Sequence, residues 1–280
     1  AGAATLGSDD ESPEARWLAD TVYARTRQKL EREAVEDLRI DFEDGFGNRP
    51  DAEEDATAAF AAKELARAME EGIAPPFIGI RVKSFSDELL MRSARTTEIF
   101  LGALLEASGG KLPANFVFTL PKVVIPEQVS AFVDLLDLLE AQHQLEAGTL
   151  KMEIMIEVTQ CLLNPDGGSN LPGLLEAARG RCVAAHFGTY DYTASANITA
   201  AHQRMDHPAC DFAKEMMRVA YAGRGIFLSD GATNIMPVGP HRGKELSEGE
   251  LQENRRVVHS AWKQAYDHVR HSLEGGFYQG

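Results

Sequence analysis

The chain has 280 residues, 44% of them apolar and 25% charged, the balance of an ordinary soluble globular protein built as one large α/β domain or two small ones. Its 28 basic and 43 acidic residues give a net charge of −15, which disfavours nucleic acid or an anionic membrane as partner. No apolar run approaches the roughly 18 residues of a membrane span, no secretory signal opens the chain, and Cys161, Cys182 and Cys210 read as reduced thiols of a cytoplasmic protein.

Residues 1–13 are small, polar and acidic and read as a flexible tail, with a single domain over 14–280. Glu14 to Glu36 is charged, carries apolar positions at Leu18, Val22 and Leu30, and suits an exposed amphipathic helix. A repeat then begins. Leu38 to Phe42 is a short strand ending in Glu43-Asp44-Gly45, and Pro50 opens a helix that Gly72 stops. Phe77 to Val82 is the second strand, followed by a helix that buries Leu90, Ala94, Thr97, Leu101 and Leu104 and ends at Gly109-Gly110. Phe116 to Leu120 is the third, with Pro121-Lys122 after it and a helix from Pro126. Met152 to Val158 is the fourth, trailed by the Gly-rich loop Asn164 to Asn170 and a short helix ending at Gly180. Cys182 to Phe187 is the fifth, breaking at Gly188 and presenting Asp191 between two tyrosines. After a helix over Pro208 to Ala222, Ile226 to Leu228 is the sixth, ending in Ser229-Asp230-Gly231. The last helix opens with a capping box, Ser247 to Glu250.

Alternating short apolar strands and helices predict a parallel sheet covered by helices. The first strand is not followed by a G-x-G-x-x-G, so a dinucleotide-binding open sheet has no support. Polar residues recur at the carboxyl end of nearly every strand, which is how a TIM (β/α)8 barrel assembles a site. The sequence supplies six good strands of the eight.

The strand-end candidates are Glu43 and Asp44, Arg81 and Lys83, Lys122, Glu157, Asp191, and Ser229 with Asp230. Each has a plainer reading. Glu43-Asp44 suits turn chemistry and the start of a helix, and Asp191 suits a turn or an N-cap. Arg81 inside an apolar strand needs a partner, for which the Glu43-Asp44 pair is the structural choice. Alternation places Glu153, Met155 and Glu157 on one face, and two buried carboxylates call for a metal ion or an arginine. His202, His207 and Cys210 have metal-like spacing, but Pro208 interrupts them and no second pair completes a zinc site. His186 reads as a core histidine, and Cys161 has no basic neighbour in sequence to activate it.

Taken together, IDFEDG at Ile40 to Gly45, IRVKSF at Ile80 to Phe85, LPKV at Leu120 to Val123, MIEV at Met155 to Val158 and FGTYDY at Phe187 to Tyr192 resemble one superfamily in order. It is that of citrate lyase beta subunits, malyl-CoA lyases and HpcH/HpaI aldolases, Mg-dependent (β/α)8 barrels, and FGTYDYTAS is most similar to the malyl-CoA lyase version. The resemblance covers Leu38 to Gly231. It implies Glu157 and Asp191 as metal ligands for Mg2+ or Mn2+, Arg81 facing the substrate carbonyl, and Glu43 and Asp44 behind the metal's waters. Lys122, Gly188, Thr189 and Tyr190 stand where it implies contacts to substrate. Lys83 replaces a common Asn, and the segment Ser195 to His207 departs from the pattern. The first and eighth strands of the family are not evident.

The resemblance further implies a carbon–carbon lyase or aldolase acting on a small 2-oxo acid unit, namely pyruvate, oxaloacetate or glyoxylate, with an acyl-CoA thioester as the alternative substrate form. Mg2+ would stabilise the enolate, and relatives assemble as homo-oligomers. Two rivals stay open: phosphoenolpyruvate chemistry on the same barrel, and a barrel that binds metal or ligand without catalysis.

Overall fold

The structure, a computed structural model, describes residues 12–277. The tail expected over 1–13 lies outside them except for Ser12 and Pro13, which begin helix α1 (Pro13–Arg32). The Ser12 hydroxyl accepts the N–H of Ala15 at 3.2 Å, and Pro13 occupies the first helical turn, where its missing N–H is not needed. No residue of α1 is buried, as its charge pattern implied.

The alternation follows as read: β1 (Asp37–Asp41), α2 (Asp51–Glu71), β2 (Phe77–Arg81), α3 (Leu90–Ser108), β3 (Phe116–Leu120), α4 (Pro126–His143), β4 (Lys151–Ile156), α5 (Leu171–Ala177) and β5 (Cys182–Phe187). Then come α6 (Thr189–Ser195), α7 (Pro208–Tyr221), β6 (Phe227–Ser229) and α8 (Glu248–Glu274). The strands pair in parallel in the order β1-β2-β3-β4-β5-β6, and among the described residues they form a curled half-barrel. One finding differs from the sequence reading. After Gly188 the chain turns directly into α6, so Asp191 lies in the first turn of a helix and not on a strand-end loop.

Register explains why the inner face is polar. Asp41 pairs with Arg81, Arg81 with Thr119, and Thr119 with Glu153, so those side chains form one row across the sheet. The alternate residues Ile78, Ile80, Phe118, Leu120, Ile154 and Ile156 belong to the hydrophobic core cluster, together with Ala62 and Leu65 of α2, Leu104 of α3 and Phe132 of α4. Phe118 meets Phe116 and Phe132 edge to face, contacts of about 1 kcal/mol each beyond their buried area. Curvature shows in one bond: Arg39 of β1 reaches Glu153 of β4 at 3.1 Å. In a flat sheet, three strand spacings would separate their backbones by about 14 Å.

Candidate active site

The polar ends of β1 to β5 gather at the carboxyl rim, the end where a barrel of this type builds a site. Arg81 closes β2, and both of its acidic partners come from β1 and the turn after it. Its Nε and Nη2 donate to the two oxygens of Asp41 at 2.7 and 2.5 Å, and Nη1 lies 3.4 Å from Glu43. The principal partner is therefore Asp41, a correction to the expectation that the Glu43-Asp44 pair holds Arg81. Asp44 instead takes Lys122 at 2.6 Å. Burial opposes the charge on Arg81, but the Asp41 bonds outweigh it and hold the guanidinium protonated beyond its ordinary range. Asp41 also accepts the N–H groups of Glu43 at 3.0 Å and Gly45 at 2.7 Å, which shapes the turn after β1.

Lys122 lies at the centre. It follows β3 with φ of 51°, a left-handed backbone uncommon for a residue with a Cβ. Its Nζ contacts Glu43 and Asp44 and lies 3.2 Å from Asp191, while its backbone N–H donates to Glu157 Oε1 at 2.6 Å. Burial works against the ammonium, yet the hydrogen bonds it donates to Asp44 and Glu43 raise its pKa above the ordinary lysine range.

Glu153 and Glu157, expected on one inward face, are both buried but fare differently. Glu153 is neutralised by Arg39 at 3.2 and 3.1 Å and accepts the Thr119 hydroxyl at 2.8 Å. Glu157 has no cation within ion-pair distance among the described residues, and only the Lys122 N–H bonds it. Burial pushes its pKa up to about 7, with the Asp191 and Glu43 charges adding to the rise and Lys122 opposing it. Gly188 makes room for it: a Cβ there would lie 2.5 Å from the Cβ of Glu157 and 2.7 Å from Oε2. Thr189, next in the chain, is buried with its hydroxyl against Gly231, and that hydroxyl finds no hydrogen-bond partner among the described residues.

Other residues singled out in the sequence are engaged elsewhere. Tyr190 donates its hydroxyl to Ala232 O at 2.7 Å, bracing the segment after β6. Lys83 turns toward Glu54 of α2 at 2.8 Å and Phe42 O at 2.6 Å. Asp230 is held by Lys214 at 3.0 Å and the Ser272 hydroxyl at 2.7 Å, fastening α7 and α8 to β6. His207 caps α7 by accepting the Ala209 N–H at 3.1 Å, and Cys210 is buried, which removes the zinc spacing from consideration. His186 shares a hydrogen bond with Ser229 at 2.7 Å, and burial lowers its pKa. Cys161, Cys182 and Cys210 are all free and buried, and burial pushes the Cys161 thiol up to about 11.

Residues 2–280 match a family described as a domain of unknown function, DUF6986. The chain belongs to that family. No curated protein matches it. Among solved structures, a citrate lyase from Burkholderia xenovorans LB400 matches with a TM-score of 0.57 and 14% identity, over 100% of this chain and 97% of that one. A malate synthase from Haloferax volcanii, solved as its lead(II) complex, matches with a TM-score of 0.50 and 15% identity, over 74% of this chain and 53% of that one. The DUF6986 chain thus spans about half the length of the malate synthase. At these identities the likeness shows the fold alone, an α/β barrel type as the alternation of strands and helices implied.

Asp41 and Arg39 were not picked out from the sequence as site residues. Alternation in Leu38 to Phe42 places both on the face opposite Ile40, and that was the available signal. Among the described residues, no helix is long and apolar enough to cross a membrane.

Proposed function

We propose that this DUF6986 chain is a divalent-metal-dependent carbon–carbon lyase or aldolase acting on a small 2-oxo acid unit such as pyruvate, oxaloacetate or glyoxylate. The observation that carries the reading is the buried Glu157, without a cation of its own, which shares Lys122 with Asp191 and feels the charge of a guanidinium fixed by Asp41. Glu157 and Asp191 would hold the ion. The donor set fits a hard cation: it is all oxygen, one member is buried and destabilised as an anion, and Gly188 keeps the space beside it clear. Among the described residues no three His, Cys, Asp or Glu side chains converge as a ligand set, so two carboxylates are what the chain would offer an ion. When bound, a divalent ion supplies Lewis acidity toward the carboxylate and keto oxygens of a 2-oxo acid.

The remaining chemistry belongs to the chain. Arg81 keeps a fixed positive charge at the rim, because Asp41 occupies two of its donors and prevents the guanidinium from turning away. A donor aimed where charge develops on the substrate oxygen contributes about 3 kcal/mol to the transition state. Glu43 steadies both Arg81 and Lys122. The match to citrate lyase supports a lyase reading, and the lead(II) complex of malate synthase supports a divalent site on this type of barrel. A homo-oligomer is part of the same proposal.

The test is release of 2-oxo acid, read as its phenylhydrazone, from small 2-hydroxyacids and from their acyl-CoA thioesters, with Mg2+, with Mn2+ and with chelator. Metal-dependent release that falls by at least about a hundredfold in Glu157→Ala and in Asp191→Ala, with unchanged circular dichroism, is the expected result. Full activity in either variant overturns the assignment of the ligands. Release unaffected by chelator overturns the metal.

A further inference from the structure

We propose, on the basis of that functional reading, that Lys122 is a tethered counter-ion. It holds the carboxylate shell while no divalent ion is bound, must withdraw when the ion enters, and so sets the affinity of the site. The resemblance assigned Lys122 to substrate contact. Its surroundings point to a different task.

The lysine touches carboxyls delivered by three other strand ends. Its ammonium lies among Glu43, Asp44 and Asp191, and its backbone N–H bonds Glu157. One residue therefore spans the two carboxyls assigned to the metal, Asp191 through its ammonium and Glu157 through its backbone N–H, and the two assigned to its waters. A left-handed backbone at φ 51° accompanies this aim, a conformation the lysine adopts against its intrinsic preference. A single ammonium nonetheless cannot balance the cluster, and Glu157 is left with a hydrogen bond and no ion pair. An ion with two charges could satisfy both acids together, which gives it an advantage over the lysine that a monovalent ion lacks.

The two cations cannot share the position. A divalent ion bonded to Asp191 would lie within a few ångströms of Nζ as it stands, and like charges at that range repel strongly in a half-buried site. Lys122 has a way out, since 31% of its side chain is exposed and the stem is long and flexible. Asp44, the most exposed of its partners at 59%, marks the solvent side toward which the amine can move. The ion thus has to displace the ammonium from Asp191 in order to bind, and removing the lysine removes that competition.

The experiment titrates the full chain with Mn2+, reading free ion from its electron paramagnetic resonance signal. Wild type is compared with Lys122→Met, with Lys122→Asn, a neutral residue suited to left-handed backbone, and with Lys122→Met carrying Glu157→Gln. The expected result is one Mn2+ bound about tenfold or more tighter in both Lys122 variants, and lost when Glu157→Gln is added. Binding that is equal to or weaker than wild type, still dependent on Glu157, overturns the proposal and leaves the metal reading intact. Failure of every protein to bind Mn2+ overturns both. A measurement on wild type needs no variant: the rate of acetylation of Lys122 by acetic anhydride, followed by mass spectrometry, should rise when Mn2+ is added. An unchanged or slower rate overturns the displacement.

Discussion

Two buried charge clusters sit at opposite ends of the sheet, and they are balanced differently. At the amino ends of β4 and β5, Arg181 donates to both oxygens of Glu140 at 2.7 and 2.6 Å and to Leu150 O at 2.9 Å, and also meets Asp137. Glu140 accepts further N–H groups from Gly148 at 2.9 Å and Leu150 at 2.7 Å. At the carboxyl ends, Arg81 and Lys122 serve Asp41, Glu43, Asp44 and Asp191, and the buried Glu157 is left with one backbone N–H and no cation among the described residues. Burial opposes ionisation in both places. Around Glu140, Arg181 and the two N–H groups win, and its pKa is held down at about 2; around Glu157 burial wins, and the pKa rises to about 7. Burying a carboxylate does not by itself make a site. What distinguishes the upper cluster is unmet charge, which leaves a position for something to bind.

The largest effect should come from breaking the balanced end. Arg181→Met leaves Glu140 buried without its cation, and removal of one partner from such a pair costs about 3 to 5 kcal/mol. Urea midpoints should show that loss, and Mn2+ binding of the surviving folded protein should not change. A loss below about 1 kcal/mol would mean that the lower cluster is not structural. The pair also sets the acid limit. Because folding depresses the Glu140 pKa from 4.5 to about 2, its contribution is complete above 4.5 and disappears as pH falls toward 2.

A middle-sized effect should come from crowding the unbalanced end. Gly188→Ala places a Cβ 2.5 Å from that of Glu157, so either the strand end or the carboxylate must shift. Overpacking of this kind costs about 1 to 3 kcal/mol. Since the atom displaced is a proposed ligand, 2-oxo acid release should fall by more than stability accounts for. Unaltered release with lowered stability would detach Glu157 from the chemistry.

The fold was far more legible in the sequence than the contacts of either charge cluster. Phe116–Leu120 and Cys182–Phe187 lie where apolar runs put them, and α2 and α3 stop at Gly72 and Gly109, both with left-handed φ. These are local signals, each decided within a few residues. The position of Glu157 followed from period-2 alternation. The role of Asp41 did not, because bidentate pairing with Arg81 is set by register between two strands 40 residues apart. Lys122 was harder still: a long stem chooses its partners only after three other strand ends are in place. The helical turn at Asp191 was hidden by Gly188 and the flanking tyrosines, which read locally as a break.

The smallest effect is also the one that separates the clusters by sign. Between pH 4.5 and about 7 the folded state keeps a proton on Glu157 that the unfolded chain releases. The folded state therefore binds more protons in that window, and stability falls as pH rises through it. Glu157→Gln cannot ionise, so this decline should flatten and the variant should equal or exceed wild type at about pH 8, by on the order of 1 kcal/mol. Glu140→Gln should do the reverse, losing about 1.5 to 3 kcal/mol at neutral pH because charged hydrogen bonds to Arg181 are replaced by weaker ones. Saturating Mn2+ should restore the stability of wild type above pH 7, where the carboxylate is free to bind, and leave Glu157→Gln unmoved. Thermal melts across pH, with and without the ion, read all of these at once. If both glutamines destabilise equally, the two ends of the sheet are held by the same kind of charge network, and the upper one loses its claim to be a site.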